Sequence, residues 1–239
     1  MQVSTRAIVL SKLKFKDNDL IVRCYTEQLG IVSFLIRGVF KSHKSNNKLA
    51  YFQLLSQLEL NLVYKGNRSL QVIKDTKIGF LYNSLQSNVF KSSIVMFLSE
   101  ALSSALKEEE QNETLYRYLE TSLQWLDSQD DYANFHLLFL LNLTKYLGFY
   151  PDVSDIDYHY FDLSEGRFVE TDYGRYTISG ENITVLKRLL HITFEDLPDL
   201  KISSKQRQSF LNMILLYFEL HLGSFSTPKS LQIFNQVFS

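Results

Sequence analysis

At 239 residues, 45% of them apolar and 21% charged, the chain has room for one large domain or two modest ones with packed cores. Its near-neutral total hides a split: residues 1–80 carry 13 Lys+Arg against 5 Asp+Glu, and residues 81–239 carry 12 against 21. The single cysteine, Cys24, excludes an intrachain disulfide and any multi-cysteine zinc site, and the longest apolar run, from Phe135 to Leu143, is too short to span a membrane.

Residues 5–78 read as β. TRAIVLSK, DLIVRCYT, GIVSFLIRG, LLSQLELNLVY and RSLQVIKD are short, rich in Val, Ile, Leu and aromatics, and divided by polar or turn segments. Glu27-Gln28-Leu29-Gly30 reads as a hairpin loop between the second and third, and Tyr64-Lys65-Gly66-Asn67 as a tight turn between the fourth and fifth. In the fourth, Leu58, Leu60 and Leu62 share one face. Five strands in so short a stretch predict a small closed barrel, because closure removes the sheet edges.

Near Gly79 the period changes from two to 3.6. Leu81 to Glu108 carries Val89, Ile94, Phe97, Leu98, Ala101, Leu102 and Ala105 at helical spacing. Asn112 to Asp127 is a second helix, with Asn112 as its cap. Tyr132 to Leu147 is apolar nearly all round, which predicts a central buried helix ended by Gly148. Residues 149–178 lose the period, and FDLSEGRFVE predicts a short hairpin at Glu165-Gly166. Helices resume at Glu181–Leu190, Ser204–Leu222 and Lys229–Phe238, the last opened by Thr227-Pro228. The expected class is α+β: a five-stranded barrel over 1–79, then a mainly helical domain over 80–239 with an irregular insert at about 149–178.

No catalytic signature is present: no G-x-S-x-G, no P-loop, no Rossmann glycines and no H-E-x-x-H. A role without enzymatic turnover, with no cofactor and no metal, is expected. Asp152, Asp155, Asp157, His159 and Asp162 are the one cluster with hard-cation chemistry, but they lack EF-hand spacing and read as a solvated acidic loop. The opening MQVSTRAIVLSKLKFK has no long apolar stretch, so no secretory leader is expected. A cytoplasmic location with no membrane contact is expected.

The basic module carries more chemistry. Lys12, Lys14 and Lys16 alternate through KLKFKDND, so an extended segment puts them on one side and Leu13 and Phe15 on the other. Arg37, Lys41, Lys44 and Lys48 lie in RGVFKSHKSNNK, which has no acid. Lys65 and Arg68 flank the last turn. Cations so placed track a phosphate backbone through counterion release. Phe15, Phe40 and Tyr51, in connecting segments, are the candidates for base stacking. Phe34 reads as core.

TRAIVLSKLKFKDNDLIVRCYTEQLGIVSFLIRGVFKSHKS resembles the opening of the bacterial RecO recombination mediators. Asp19, Thr26, Gly30, Gly38 and Lys41 fill that family's acid, T-x-x-x-G and glycine-then-basic positions, and LLSQLELNLVYKGNRSLQVIKD and LTKYLGFYPD continue the resemblance along the whole chain. The resemblance implies an N-terminal OB-fold and a helical domain. It implies binding and annealing of single-stranded DNA, with duplex DNA also bound, and help in loading the RecA recombinase onto strands coated by single-strand-binding protein. RecR and the C-terminal tail of single-strand-binding protein are the implied partners. The four-cysteine zinc site of some members is not carried over, because residues 149–178 contain no cysteine. A tail-docking pocket needs an apolar groove with a basic rim, and Arg117, Lys145, Arg175, Lys187, Arg188, Lys205 and Arg207 are the candidates for that rim. The alternative reading is an RNA-binding OB protein of RNA processing or translation.

Overall fold

The computed structural model describes residues 1–40, 46–107, 111–172 and 174–238, without the side chains of 46–48. Lys41, His43 and Lys44, and the side chain of Lys48, therefore lie outside the described residues. The chain forms two compact units, Met1–Ser128 and Gln129–Ser239.

The first unit is built on β1 (Gln2–Phe15), β2 (Asp19–Thr26), β3 (Gly30–Ile36), β4 (Gln57–Val63) and β5 (Ile73–Phe80), with a short helix α1 (Asn46–Tyr51) that the sequence pattern did not predict. The strands pair antiparallel in the order β3-β2-β1-β4-β5. Alternation sends Val3, Ala7, Leu20, Val22, Cys24, Val32, Phe34, Leu58, Leu60 and Leu62 into one buried cluster. An irregularity in register between Val9 and Ser11 lets the long β1 pair with β4 through its first half and with β2 through its second. Beyond Val9, β1 has only β2 beside it, so Lys12, Leu13 and Lys14 are all exposed.

The barrel is not closed. Among the described residues β3 and β5 form no ladder, and Gln71, just before β5, bridges Phe34 on β3. There Leu35 N donates to Gln71 O (2.9 Å) and Gln71 N to Ser33 O (2.8 Å). The cause is local. Buried Gln71 accepts from Lys65 N and donates to the carbonyls of Lys65 and Arg68, which holds 65–71 as a loop. The fifth strand, expected from Arg68, therefore begins at Ile73 and runs to Phe80.

Two helices complete this unit, α2 (Val89–Ala105) and α3 (Glu113–Ser128). The Asn88 side chain accepts from Phe90 N and Lys91 N, so α2 starts at Val89 instead of Leu81, and Val89 is exposed instead of lying on the apolar stripe. Asn112 caps α3 as expected, accepting from Leu115 N at 2.9 Å. Arg6 forms a fork with Glu27 and also binds Glu120 on α3 (2.7 Å). Ile8, Leu10 and Tyr25, buried yet outside the sheet's own cluster, belong to the side that meets these helices: Ser103 Oγ donates to Leu10 O, and Tyr25 stacks on Tyr116. The change from strand to helix thus falls at Phe80, while the compact unit continues to Ser128.

In the second unit, α4 (Phe135–Tyr146) is buried nearly all round and ends as predicted near Gly148 (φ +84°). The insert holds β6 (Tyr160–Asp162), β7 (Arg167–Val169) and β8 (Thr177–Ile178) in the order β7-β6-β8, with the expected hairpin at Glu165-Gly166. α5 (Glu181–Leu189), a 3-10 helix over Phe194–Asp199, α6 (Ser204–His221) and α7 (Leu231–Val237) follow. α7 starts two residues later than predicted, because Thr227 Oγ1 turns back to Glu219 instead of capping the helix.

Candidate nucleic-acid interface

The second half of β1 and the end of β3 meet at one corner of the sheet. Phe40 N donates to Asn18 O (3.2 Å) and Gly38 N to Asp19 Oδ1 (2.9 Å), which ties the segment after β3 to the turn between β1 and β2. The Lys14 ammonium lies 5.5 Å from the centre of the Phe40 ring, and the Lys16 ammonium 5.4 Å from that of Phe15. Lys12 Nζ donates to Gln53 Oε1 (2.9 Å). Arg37 is exposed beside Gly38. The expected alternation stops at Phe15: Lys16 has φ +51° and lies past the strand, so its direction does not follow that of Lys12 and Lys14. Leu13, expected opposite the lysines, is exposed like them.

Of the stacking candidates, Phe40 is exposed, Phe15 half-buried, and Tyr51 half-buried against the core cluster. Tyr51 also lines a cavity of about 360 Å³ where β3 and β5 fail to pair. Leu35, Ile36, Phe52, Val72 and Ile73 give this seam cavity apolar walls, and Arg37, Lys74 and Asp75 are its charged members. Lys65 and Arg68 are exposed on the loop beyond the seam. The arrangement is a basic corner with an aromatic ring on its surface and an apolar cleft beside it. It suits phosphates outside and a base within.

Sequence reasoning did not single out Arg23, Lys74 or Lys107. Arg23 interrupts the apolar strand DLIVRCYT, which was the available signal. Its guanidinium donates to the Ser103 and Leu106 carbonyls (2.9 and 2.8 Å) at the end of α2, and burial lowers its pKa from the ordinary value.

The candidate rim residues are not all brought together. Arg117 belongs to the first unit and pairs with Glu113 one turn away on α3. Lys145 is exposed at the end of α4. Arg175 lies over Tyr176, and Lys187 donates to Tyr158 O and faces Phe168, beside the three-stranded sheet. Arg188 reaches the Lys201 carbonyl (3.4 Å), and Lys205 is exposed in the first turn of α6. Arg207 and Lys201 line a cavity of about 380 Å³ with Leu197, Pro198, Leu200 and Ile202. Arg207 Nε donates there to Asn134 Oδ1 (3.1 Å).

Two carboxylates of the acidic loop bind within the loop itself. Asp152 Oδ1 accepts from Ser154 N and Oγ, and Asp162 Oδ1 from Ser164 N and Oγ. Among the described residues no group of three His, Cys, Asp or Glu is placed to hold a metal ion. Nor is any helix among them long and apolar enough to cross a membrane.

Two family models cover most of the chain: Recombination protein O N terminal over residues 1–81 and Recombination protein O C terminal over 86–231. The chain is 44% identical to the DNA repair protein RecO of Christiangramia forsetii, 45% to that of Flavobacterium johnsoniae and 41% to that of Flavobacterium psychrophilum, each over the whole of both chains. The open five-stranded sheet followed by helices is the architecture those two family models divide, and the chain belongs to the RecO family.

Proposed function

We propose that this protein acts in DNA repair as a recombination mediator. It binds and anneals single-stranded DNA and helps to load the RecA recombinase onto strands coated by single-strand-binding protein, with RecR as a further partner. It acts without catalytic turnover, in the cytoplasm at the nucleoid. The observation that carries this reading is Lys14 against the Phe40 ring at one corner of the open sheet, with Lys12, Lys16 and Arg37 exposed on the neighbouring segments, in a chain of the RecO family. The second unit supports a docking role. Its cavity, where Lys201 and Arg207 stand beside Leu197, Pro198, Leu200 and Ile202 with Asp131 also in the lining, is the candidate seat for the acidic, Phe-ending tail of single-strand-binding protein. The RNA-binding alternative is not favoured by the relatives, all three of which are named for DNA repair.

A strand-annealing assay with complementary oligonucleotides, bare and coated by single-strand-binding protein, tests the reading. Wild type should accelerate both reactions. Replacing Lys14, Lys16 and Arg37 together by Glu should slow both. The same change should make the salt dependence of binding shallower by up to about 2 log units per log unit of salt. Tighter binding to RNA than to DNA of equal length would transfer the function to the alternative.

A further inference from the structure

We propose that a second cavity, at the other end of β3, holds a backbone phosphate of the same bound strand. This rests on the DNA-binding reading above and adds a site to it. The cavity, about 500 Å³, is lined by Arg23, Arg68 and Lys107, with Ser33, Tyr64 and Gln71 among its polar groups. Among the described residues no Asp or Glu lines it. Three cations around one polar opening attract an anion and offer little to a base.

Arg23 is the anchor. It sits in mid-strand opposite Ser33, and two of its N–H groups are held by the carbonyls at the end of α2. Those carbonyls fix the guanidinium without neutralising it. Among the described residues no carboxylate lies within ion-pair distance of Arg23. Its charge is thus half-buried and held in place, and an oxyanion at its remaining N–H groups satisfies it. Arg68 is delivered by an ordered turn. Its own N–H donates to Lys65 O (3.0 Å), and its carbonyl accepts from Gln71 Nε2 (2.8 Å). Little backbone ordering is left to be lost on binding.

Successive residues of β3 line this cavity and the seam cavity. Ile31, Ser33 and Leu35 occupy alternate positions on β3, so they share its outer side, and Arg37 follows directly after the strand. Ile31 and Ser33 line the phosphate cavity, and Leu35 and Arg37 line the apolar one. Gln71 marks the border between them. Ser33 and Leu35 are about 7 Å apart along the strand. A single extended strand therefore reaches from one cavity to the other. The acidic run 108–110 that follows Lys107 lies outside the described residues.

The test is fluorescence anisotropy of the full chain with a labelled oligo-dT over a salt series. Arg68 and Lys107 are exposed, and unchanged melting of Arg68→Ala and Arg68→Ala/Lys107→Ala checks that the fold stays intact. The slope of log K against log salt should become shallower by about 0.7 in the single variant and about 1.4 in the double. Wild-type slopes in both variants, with a shallower slope in Arg37→Ala, would overturn this site and leave the functional reading standing. A wild-type chain that binds no oligonucleotide would overturn both. A second arm compares melting in inorganic phosphate and in chloride at equal ionic strength. A phosphate-specific rise that Arg68→Ala abolishes, with no change in DNA slope, would assign the cavity to the free anion and sink the proposal.

Discussion

His136 shows what a single buried group does to stability. It lies at 0% exposure on α4, 4.8 Å from the Phe234 ring and 6.1 Å from Phe238. Burial, helped by the charge of Arg207, lowers its pKa to about 3 from an ordinary 6.5. The folded imidazole stays neutral while the unfolded one takes up a proton below pH 6.5. Stability therefore falls as the pH drops from 6.5 towards 3. Between pH 7 and pH 5 the wild type should lose about 2 kcal/mol more than His136→Leu, measured by urea unfolding. Parallel losses in the two proteins would refute this. Glu27, held low mainly by its hydrogen bonds from Arg6, loses its contribution at lower pH, below its ordinary 4.5. The sequence made His136 legible as a core residue, since apolar neighbours surround it at every helical position. It gave no sign that Arg23 and Arg68 share a cavity, because that juxtaposition depends on how far β3 and β5 stand apart.

Elements were legible where their periodicity was strong. β2 spans the segment DLIVRCYT, and α4 follows its apolar run to within a few residues. Boundaries failed where a side chain outside the element decides them. The start of α2 is one case. Asp127, at the end of α3, accepts hydrogen bonds from the backbone of Asn83, Ser84 and Leu85, and Lys91 Nζ donates to its carbonyl. Burial acts to raise the Asp127 pKa, and these amides outweigh it and hold the carboxyl below the usual range. Residues 83–85 are thereby kept out of the helix by a partner more than forty positions away. Asp127→Ala should cost about 3 kcal/mol in urea unfolding, because three amides lose their acceptor at once. A loss under about 1 kcal/mol would show that water replaces the carboxylate. The β5 start is the second case, decided by the Gln71 side chain.

At the scale of the whole molecule, the last strand of the sheet ends at Phe80, and the compact unit that holds it continues to Ser128. The sheet is buried on two sides in its middle: Val3, Ala7 and Val9 face its own cluster, while Ile8, Leu10 and Tyr25 lie outside it. Arg6, Gln57 and Arg23 bind groups on α2 and α3. A fragment of residues 1–128 should unfold in one cooperative transition, followed by circular dichroism. A fragment of residues 1–80 should show none, since its second side would face water. A sharp transition in the shorter fragment would mean that α2 and α3 are accessories to a self-sufficient sheet. Pattern alone could not reveal this, because an alternating strand buried on both sides differs from one buried on a single side only at a few positions, here Ile8 and Leu10.

An unclosed sheet carries a hazard that a closed one does not: its free edge is a template for another copy's strand. On β3 the backbone of Gln71 already occupies the groups of Ser33 and Leu35. On β5 the sequence IKDTKIGF sets Lys74, Asp75 and Lys77 along an exposed edge. Charges so placed disfavour edge-to-edge stacking of chains, so the sheet stays open on that side without inviting aggregation.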